Sequence, residues 1–456
     1  MEKRVFIKTF GCQMNVYDST KMLSLLRPLG YTETETAADA DLMLLNTCHI
    51  REKAAEKVYS DLGRLRDLRL KREKIGKATL IGVTGCVAQA EQDEVTRRAP
   101  YVDVVLGPQS YHRLPELVAA AEEKHTGKRP NLIAADFTPE SKFDQLPMAG
   151  SKQGSSAFLT IQEGCDKFCT FCVVPYTRGA EYSRTAAAVL EEARILIAEG
   201  AVEITLLGQN VNAYHGLAAD GTSWGLAQLL HAVAALPGLQ RLRYTTSHPR
   251  DVDTALIEAH RDILILQPLL HLPVQSGADK ILSAMNRKHT AAEYLDTIAA
   301  LRRARPDIAF SSDFIVGYPG ETDADFEATL ELVRLVEFVG AYSFKYSPRP
   351  GTPAAELAAT SVPEAIKDAR LAALQELLQK QQYSFNQRAL GTEQEVLFSD
   401  TERSDGMLFG KTAYLQSVIV EAPARLRGRI ERVHIEHAGT NSLKGRLIIN
   451  EEPLAA

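Results

Sequence analysis

The first 127 residues alternate short apolar runs with longer amphipathic stretches. Three of these runs have the length of buried strands: Val5 to Phe10, Leu42 to Leu45 and Thr79 to Thr84. A helical pattern from Asp18 to Leu29, stopped by Gly30, follows the first run, and a long charged helix to about Lys74 follows the second. This alternation predicts an α/β domain built on a parallel sheet.

The same alternation recurs from residue 154 to 384. The predicted strands are Ala157 to Ile161, Val202 to Leu207, Arg241 to Thr246, Leu269 to Pro273, Ile308 to Val316 and Ala341 to Tyr346. Repeated βα units of this size predict a parallel barrel, complete or partial. Functional residues are then expected on the loops that follow the strands.

The end of the chain has a different pattern. From Phe385 onward, short β-rich runs separated by Gly and polar turns predict a small antiparallel barrel over residues 385–452. The pattern alone does not separate an oligonucleotide-binding barrel from an inert lid. Residues 128–153, which contain three prolines and a Gly/Ser-rich patch, are predicted to be a linker between the first two domains.

The composition is that of a globular protein with a moderate negative charge. The 456 residues are 45% hydrophobic and 24% charged, with a net charge of −6, which does not indicate a nucleic-acid partner for the whole molecule. Two stretches are basic although the whole chain is acidic. Residues 51–77 carry ten Lys or Arg against five Asp or Glu, and residues 423–446 carry six against two. Charge alone does not separate nucleic-acid contact from an ordinary solvated face.

No apolar run approaches the roughly 20 residues needed to span a bilayer, and the opening Met-Glu-Lys-Arg has no signal-peptide character. We therefore expect a cytoplasmic protein with no membrane partner. Thiols stay reduced in that compartment, so clustered cysteines indicate metal binding or catalysis rather than disulfides.

Three of the six cysteines form one loop after the first predicted barrel strand. Cys165, Cys169 and Cys172 are spaced by four and then three residues. Three thiolates at this spacing can hold three corners of a [4Fe–4S] cluster and leave the fourth iron open to a ligand. The alternative is a structural zinc site, which usually takes four ligands from two paired motifs.

The other three cysteines each stand just past the end of a strand-like run: Cys12, Cys48 and Cys86. Carboxyl ends of parallel strands converge on one crevice, so these thiols could hold a second cluster, again one ligand short. The alternative is three buried free thiols, since unpaired cysteine is often buried.

Several blocks of the chain resemble the radical S-adenosylmethionine (SAM) methylthiotransferases, and specifically their tRNA-modifying branch. These are the Cys-x-x-x-Cys-x-x-Cys loop, Thr9-Phe-Gly-Cys-Gln-Met-Asn15, Asn46-Thr-Cys-His-Ile-Arg-Glu-Lys53, Gly107-Pro-Gln109, Phe171-Cys-Val-Val-Pro-Tyr-Thr-Arg-Gly179 and Ser347-Pro-Arg-Pro-Gly-Thr352. The C-terminal barrel looks like a TRAM domain. Two positions depart from the family pattern: Gly410-Lys-Thr-Ala-Tyr-Leu415 lacks an Asn-containing turn, and His49 stands where small residues are common.

The resemblance implies an activity. Cys165, Cys169 and Cys172 would hold the catalytic [4Fe–4S] cluster that binds and cleaves SAM, and Cys12, Cys48 and Cys86 a second [4Fe–4S] cluster that supplies sulfur. The implied product is 2-methylthio-N6-isopentenyladenosine beside the anticodon of a tRNA, with a second SAM as methyl donor and a flavodoxin-type protein as reductant. The alternatives are the related enzymes for threonylcarbamoyl adenosine or a ribosomal protein, and a non-catalytic cluster or RNA-binding module.

The resemblance also implies binding residues. SAM contacts are expected at three strand ends and from two arginines: Gly208, Gln209, Asn210, Gln275, Ser276, Gly317, Arg178 and Arg184. Contacts to the tRNA anticodon stem-loop are expected from a basic run that alternates like one face of a strand. That run comprises Arg425, Arg427, Arg429, Arg432, Lys444 and Arg446.

Overall fold

The structure, a computed structural model, describes residues 2–48, 52–123, 132–135, 142–148, 153–357, 360–403 and 405–448. Among the described residues, no helix combines the length and apolarity needed to cross a bilayer.

The first domain is a parallel sheet of six strands in the order β2-β1-β3-β4-β5-β6. Its strands and helices are β1 (Lys3–Thr9), α1 (Gln13–Leu26), β2 (Tyr31–Glu33), β3 (Leu42–Thr47), α2 (Glu52–Glu73), β4 (Leu80–Gly85), α3 (Cys86–Glu91), α4 (Asp93–Arg98), β5 (Val104–Leu106), α5 (Leu114–Glu123), β6 (Leu132–Ala134) and α6 (Lys142–Gln145). Every residue of β3 and β4 is buried, as expected for central strands covered by helices on both faces.

The predicted α/β architecture of this domain is confirmed, but the domain extends beyond its predicted end at residue 127. Leu132–Ala134 pairs with β5 as the sixth strand, so the linker prediction for residues 128–153 is wrong at this point. The first helix is also longer than the pattern indicated, because it begins at Gln13, directly after Cys12.

The second domain is a partial (β/α) barrel. Its elements are β7 (Ser156–Thr160), β8 (Gln162–Glu163), α7 (Val174–Thr177), β9 (Tyr182–Ser183), α8 (Ala186–Ala198), β10 (Glu203–Leu207), β11 (His215–Leu217), β12 (Ser223–Gly225), α9 (Leu226–Ala234), β13 (Arg241–Tyr244), α10 (Thr254–Asp262), β14 (Leu269–His271), α11 (Asp279–Ala284), α12 (Ala291–Ala304), β15 (Ala309–Val316), α13 (Asp323–Val336), β16 (Gly340–Lys345) and α14 (Glu364–Gln387). All six predicted barrel strands are present, as β7, β10, β13, β14, β15 and β16.

These six strands form two parallel sheets, ordered β13-β10-β7 and β14-β15-β16, and a parallel bridge between Leu242 and Leu266 joins them. One apolar core runs through both halves and under the surrounding helices. Several helices begin at side-chain caps that the sequence encodes, such as Thr290 with Glu293 at the start of α12.

The third domain is a closed five-stranded barrel in the order β17-β18-β19-β21-β20. Its strands are β17 (Glu393–Phe398), β18 (Leu408–Lys411), β19 (Ser417–Glu421), β20 (Ile430–Ala438) and β21 (Leu443–Leu447). Arg241 and Arg243 of β13 donate hydrogen bonds to backbone carbonyls of this barrel, including that of Lys411 at 3.1 Å. Arg241 is the first residue of β13, so the third domain contacts the second at the amino end of this strand.

Candidate active site

Both groups of cysteines open into one cavity of about 260 Å³ between the first domain and the partial barrel. Five of the six thiols line it: Cys12, Cys86, Cys165, Cys169 and Cys172. Cys48 is buried and packs closely against Gly11, the residue before Cys12. A Cβ at Gly11, whose φ is +98°, would lie 2.2 Å from the Cβ of Cys48.

Backbone hydrogen bonds fix the loop that carries Cys165, Cys169 and Cys172. The Cys165 N–H donates to the Gly179 carbonyl at 3.3 Å, and the Cys172 N–H donates to the Cys169 carbonyl at 2.9 Å. Arg287 approaches the Cys169 sulfur at 3.6 Å through Nη1. The loop thus presents three sulfurs to the cavity at the carboxyl end of the first barrel strand, as the βα rule predicts.

The raised pKa values of these thiols are consistent with a site for iron, whose positive charge would stabilise the thiolates. Burial, with a smaller contribution from the neighbouring thiolates, raises the pKa of Cys172 to about 12 and that of Cys165 to about 11. Burial also raises the pKa of Cys12, and Cys86 adds to that effect. Thiols in this state are neutral at pH 7, and iron would supply the positive charge that keeps them ionised as ligands.

One part of the cavity wall is polar, and some of its buried polar atoms have no hydrogen-bond partner among the described residues. Asn210 donates its amide N–H to Asp251 at 2.7 Å, and its Oδ1 is buried without a partner among the described residues. The Ser247 hydroxyl and His248 Nε2 are likewise buried without a hydrogen-bond partner among the described residues. Because buried polar atoms normally have partners, these three atoms fit the polar groups of a bound molecule such as SAM.

His248 is held as a neutral donor. Burial lowers its pKa to about 2, and the nearby Arg287 and His289 contribute to that shift. Its Nδ1 accepts the Arg250 backbone N–H at 3.2 Å, which places the ring proton on Nε2, at the cavity wall. This residue therefore offers an N–H without adding charge.

The Gly208-Gln-Asn210 loop lines the cavity and is tied to the cysteine loop. Gln162 Oε1 accepts the backbone N–H groups of Gln209 at 2.9 Å and Asn210 at 3.1 Å. Gln209 Oε1 in turn accepts the Gly164 N–H at 2.6 Å. Gln275, expected at the end of a later strand, lines the same cavity.

The structure does not bring three of the expected SAM contacts to the cavity. The Ser276 hydroxyl lies 3.3 Å from that of Thr329 and is fully buried, and the Gly317 N–H donates to Glu321 at 2.7 Å. Arg184 donates to Glu192 at 2.7 Å, at the interface between the domains. These contacts are structural, so the expected role of the three residues in binding SAM is not supported.

Arg178 lines the cavity but is already paired on its other side. Its guanidinium lies 2.6 Å from Glu163 and 2.8 Å from Asp18, and it also donates to Asn15 at 2.9 Å. Asn15 is on α1 and Glu163 is on β8, so the arginine joins the two cysteine-bearing domains. We therefore assign Arg178 to the domain interface instead of to a SAM carboxylate.

Replacing Arg178 by Met is expected to destabilise the protein by about 3–5 kcal/mol, because it leaves buried Asp18 and Glu163 without their cation. Chemical unfolding of the metal-free protein measures this cost. The matched control is Arg194→Met, whose pair with Glu191 is more than half exposed and is worth about 0.3–0.5 kcal/mol. Equal costs for the two variants would contradict the interface role of Arg178.

Sequence reasoning missed several residues that line the cavity. Thr245, Ser247 and His248 follow β13, Arg287 follows α11, and Asp313 lies within β15. The signal for Ser247 and His248 was present, because they directly follow the predicted strand Arg241 to Thr246, whereas Thr245 lies within that predicted strand. Arg287 and Asp313 had no local signal, since only the closure of the barrel brings them to the cavity.

The basic run of the C-terminal barrel divides into two sets. Arg427, Arg432 and Arg446 pair with Glu402, Glu393 and Glu436, whereas Arg425, Arg429 and Lys444 are exposed and have no ionic partner among the described residues. The prediction that the run alternates along one strand face is wrong, because Arg425 lies in a 3-10 turn and β20 begins only at Ile430. His49 lies outside the described residues.

A partial parallel barrel with three cysteines on the loop after its first strand defines a radical SAM fold. Family models agree with this class: residues 4–107 match Uncharacterized protein family UPF0004, residues 159–333 match the Radical SAM superfamily and residues 387–448 match the TRAM domain. Similar solved structures include the radical SAM methyltransferase TsrM from Kitasatospora setae, with a TM-score of 0.56 and 13% identity over 88% of this chain and 79% of that chain. The radical SAM enzyme OxsB has a TM-score of 0.53 and 13% identity over 83% of this chain and 56% of that chain. At these identities the likeness concerns the fold alone.

Relatives at much higher identity define the family. A protein of Bartonella quintana (strain Toulouse) is 57% identical over 98% of this chain and 96% of its own length. A protein of Maricaulis maris (strain MCS10) is 58% identical over 98% of this chain and 97% of its own length. Both are named tRNA-2-methylthio-N(6)-dimethylallyladenosine synthase. The chain therefore belongs to the family of tRNA-2-methylthio-N(6)-dimethylallyladenosine synthases.

Proposed function

We propose that the protein is a radical SAM tRNA methylthiotransferase that adds sulfur and a methyl group to carbon 2 of N6-isopentenyladenosine beside the anticodon. The observation that carries this proposal is the single cavity of about 260 Å³ into which both groups of cysteines open. Two reactive centres that face one space can act in turn on one atom of one substrate. The names of the full-length relatives favour isopentenyladenosine over threonylcarbamoyl adenosine or a ribosomal protein.

The cysteines bind the two clusters, and the polar wall of the cavity orients SAM. Cys165, Cys169 and Cys172 hold one [4Fe–4S] cluster, and Cys12, Cys48 and Cys86 hold a second. Carbon 2 of adenine has no acidic proton and no leaving group, and SAM bound to the first cluster supplies the radical chemistry that such a carbon requires. The polar wall at Asn210, Ser247 and His248 orients SAM, with Asn210 Oδ1 accepting from its amino group and neutral His248 donating an N–H.

Buried ion pairs between the first domain and the partial barrel hold the two groups of thiols at fixed positions relative to each other. The Arg178 ion pairs with Asp18 and Glu163 are almost fully buried, and Lys21 and Arg184 both reach Glu192 at 2.7 Å. Such networks hold a single arrangement well because every member is paired. The reaction needs this rigidity, since the radical and the sulfur must meet the same carbon.

The RNA partner is the anticodon stem-loop of a tRNA, and the C-terminal barrel supplies phosphate contacts. The three cations without an ionic partner among the described residues, Arg425, Arg429 and Lys444, are the best placed for this role. Arg427, Arg432 and Arg446 already have carboxylate neighbours and contribute less. A flavodoxin-type reductant and a cytoplasmic location complete the proposal.

Analysis of tRNA nucleosides by mass spectrometry tests this function. Cells that lack the protein are expected to accumulate N6-isopentenyladenosine and to lose its 2-methylthio derivative, because carbon 2 is then left unmodified. Expression of the parent chain should restore the derivative. An unchanged nucleoside profile would contradict the proposed activity, and loss of a different thiomethylated nucleoside would correct the substrate.

A further inference from the structure

A second groove of about 390 Å³ lies at the rim of the catalytic cavity. His248 and Arg287 line both spaces, so the groove leads directly to the site of chemistry. It runs between the cysteine loop, the turn after β13 and the turn after α11. The side chains of Phe168, Arg250 and Lys288 line this groove and do not line the catalytic cavity.

An aromatic ring in the cysteine loop stands in this groove. Phe168 is 53% exposed although it directly precedes Cys169. Its backbone has a φ of 48°, and Asn286 Nδ2 fixes it by donating to the carbonyls of Phe168 at 2.9 Å and Lys167 at 3.2 Å. A non-glycine residue in the left-handed region costs free energy, and such positions cluster at functional sites. The backbone is thus fixed at this position, and about half of the Phe168 side chain is left open to the groove.

The groove is cationic in a protein of net charge −6. It contains the four cations Lys167, Arg250, Arg287 and Lys288 against the two carboxylates Asp166 and Asp251, a surplus of two. Lys167 lies 2.7 Å from Asp251 and neutralises it. Arg250 and Lys288 are exposed and have no ionic partner among the described residues. Their charge is therefore available to a ligand.

We propose that Phe168, Arg250 and Lys288 bind the unpaired nucleotides that flank the target adenosine, with a base stacked on the Phe168 ring and phosphates held by the two cations. This proposal rests on the proposed function and adds to it the surface that receives the RNA. Proteins bind single-stranded RNA by combining aromatic stacking with basic side chains along the backbone. An anticodon loop presents unpaired bases of this kind, and a base that enters the cavity must bring its neighbours to this rim.

Binding of an isopentenylated anticodon stem-loop RNA to the reconstituted holoenzyme, measured as Kd over a series of KCl concentrations, tests the two contacts separately. Phe168→Ala is expected to weaken binding by about 5- to 150-fold and to leave the salt dependence unchanged, because stacking involves no counterions. Arg250→Ala with Lys288→Ala is expected to make the log–log salt slope shallower by about 1.4, which is two single-strand phosphate contacts at about 0.7 each.

Matched controls come from exposed residues elsewhere on the barrel. Tyr383→Ala on α14 removes an aromatic ring that is 47% exposed, and Arg303→Ala removes an exposed cation on α12. Both should bind RNA as the parent does. Because Phe168 adjoins a cysteine, iron content is measured for every variant, and Phe168→Tyr should keep the affinity that Phe168→Ala loses.

The outcomes separate the alternatives. Parent-like Kd and salt slope in both groove variants would overturn the groove proposal. If those variants bind RNA normally but accept electrons more slowly from a flavodoxin-type protein than from dithionite, the groove docks the reductant and the RNA proposal is again overturned. If the parent itself does not bind the RNA, the proposed function fails and the groove proposal fails with it.

Discussion

Replacing Cys165, Cys169 and Cys172 together by Ala is expected to abolish the cleavage of SAM and to leave about four of about eight irons per chain. The reason is that these three thiols, on the loop after β7, would hold the cluster that binds SAM in the proposed function. Liquid chromatography of 5′-deoxyadenosine after anaerobic reconstitution measures the activity. Colorimetric iron analysis of the same samples measures the clusters.

The matched control is the variant that lacks the other three cysteines. Both variants remove the same number of thiols, so a general effect of lost iron would appear in both. Cleavage of SAM by the Cys165, Cys169 and Cys172 variant would show that the radical site has been placed in the wrong domain. Retention of about eight irons in that variant would show that these cysteines are not cluster ligands.

The positions of the cysteines were predictable because the signals are local. Each of Cys12, Cys48 and Cys86 stands at the end of an apolar run, and strand ends in a parallel sheet share one edge. The structure places Cys12 directly before α1, Cys48 directly after β3 and Cys86 at the start of α3. Periodicity and the βα rule were sufficient for this part of the site and for all six barrel strands.

The arginines were not predictable in the same way, because their contacts form where the first domain docks on the barrel. Arg178 pairs with Asp18, and Arg184 pairs with Glu192 next to Tyr17 and Lys21 of the first domain. A guanidinium offers the same chemistry to a carboxylate of the protein and to one of a cofactor. Only the docking of the two domains decides between them.

The prediction that the basic run near the end of the chain lies on one strand face was wrong for a different reason. Alternation indicates one strand face only if all of the alternating residues belong to the strand. Pro423 and Gly428 interrupt the pattern, and the strand starts after both, so Arg425, Arg427 and Arg429 lie on a connecting segment. The glycine and proline signals were present in the sequence and should have limited the strand prediction.

Replacing Cys12, Cys48 and Cys86 together by Ala is expected to preserve production of 5′-deoxyadenosine and to eliminate the thiomethylated nucleoside. In the proposed function, radical generation depends on the barrel loop and on the polar wall at Asn210, Ser247 and His248, all of which belong to the second domain. The thiols that we propose to supply sulfur are in the other domain, and Cys12 and Cys86 line the same cavity. Nucleoside mass spectrometry of a tRNA substrate and chromatography of the SAM products measure the two activities in one reaction.

Stability must be checked in this variant, because Cys48 packs against Gly11 and Cys12 lies beside the Arg178 network. Removing a buried thiol leaves a small void, which costs less than breaking the Arg178 ion pairs. The unfolding midpoint of the triple variant should therefore stay above that of Arg178→Met. With the fold intact, continued formation of the thiomethylated product would refute the sulfur-supplying role of the first domain, whereas 5′-deoxyadenosine without that product would locate radical generation and sulfur supply in the two domains that line one cavity.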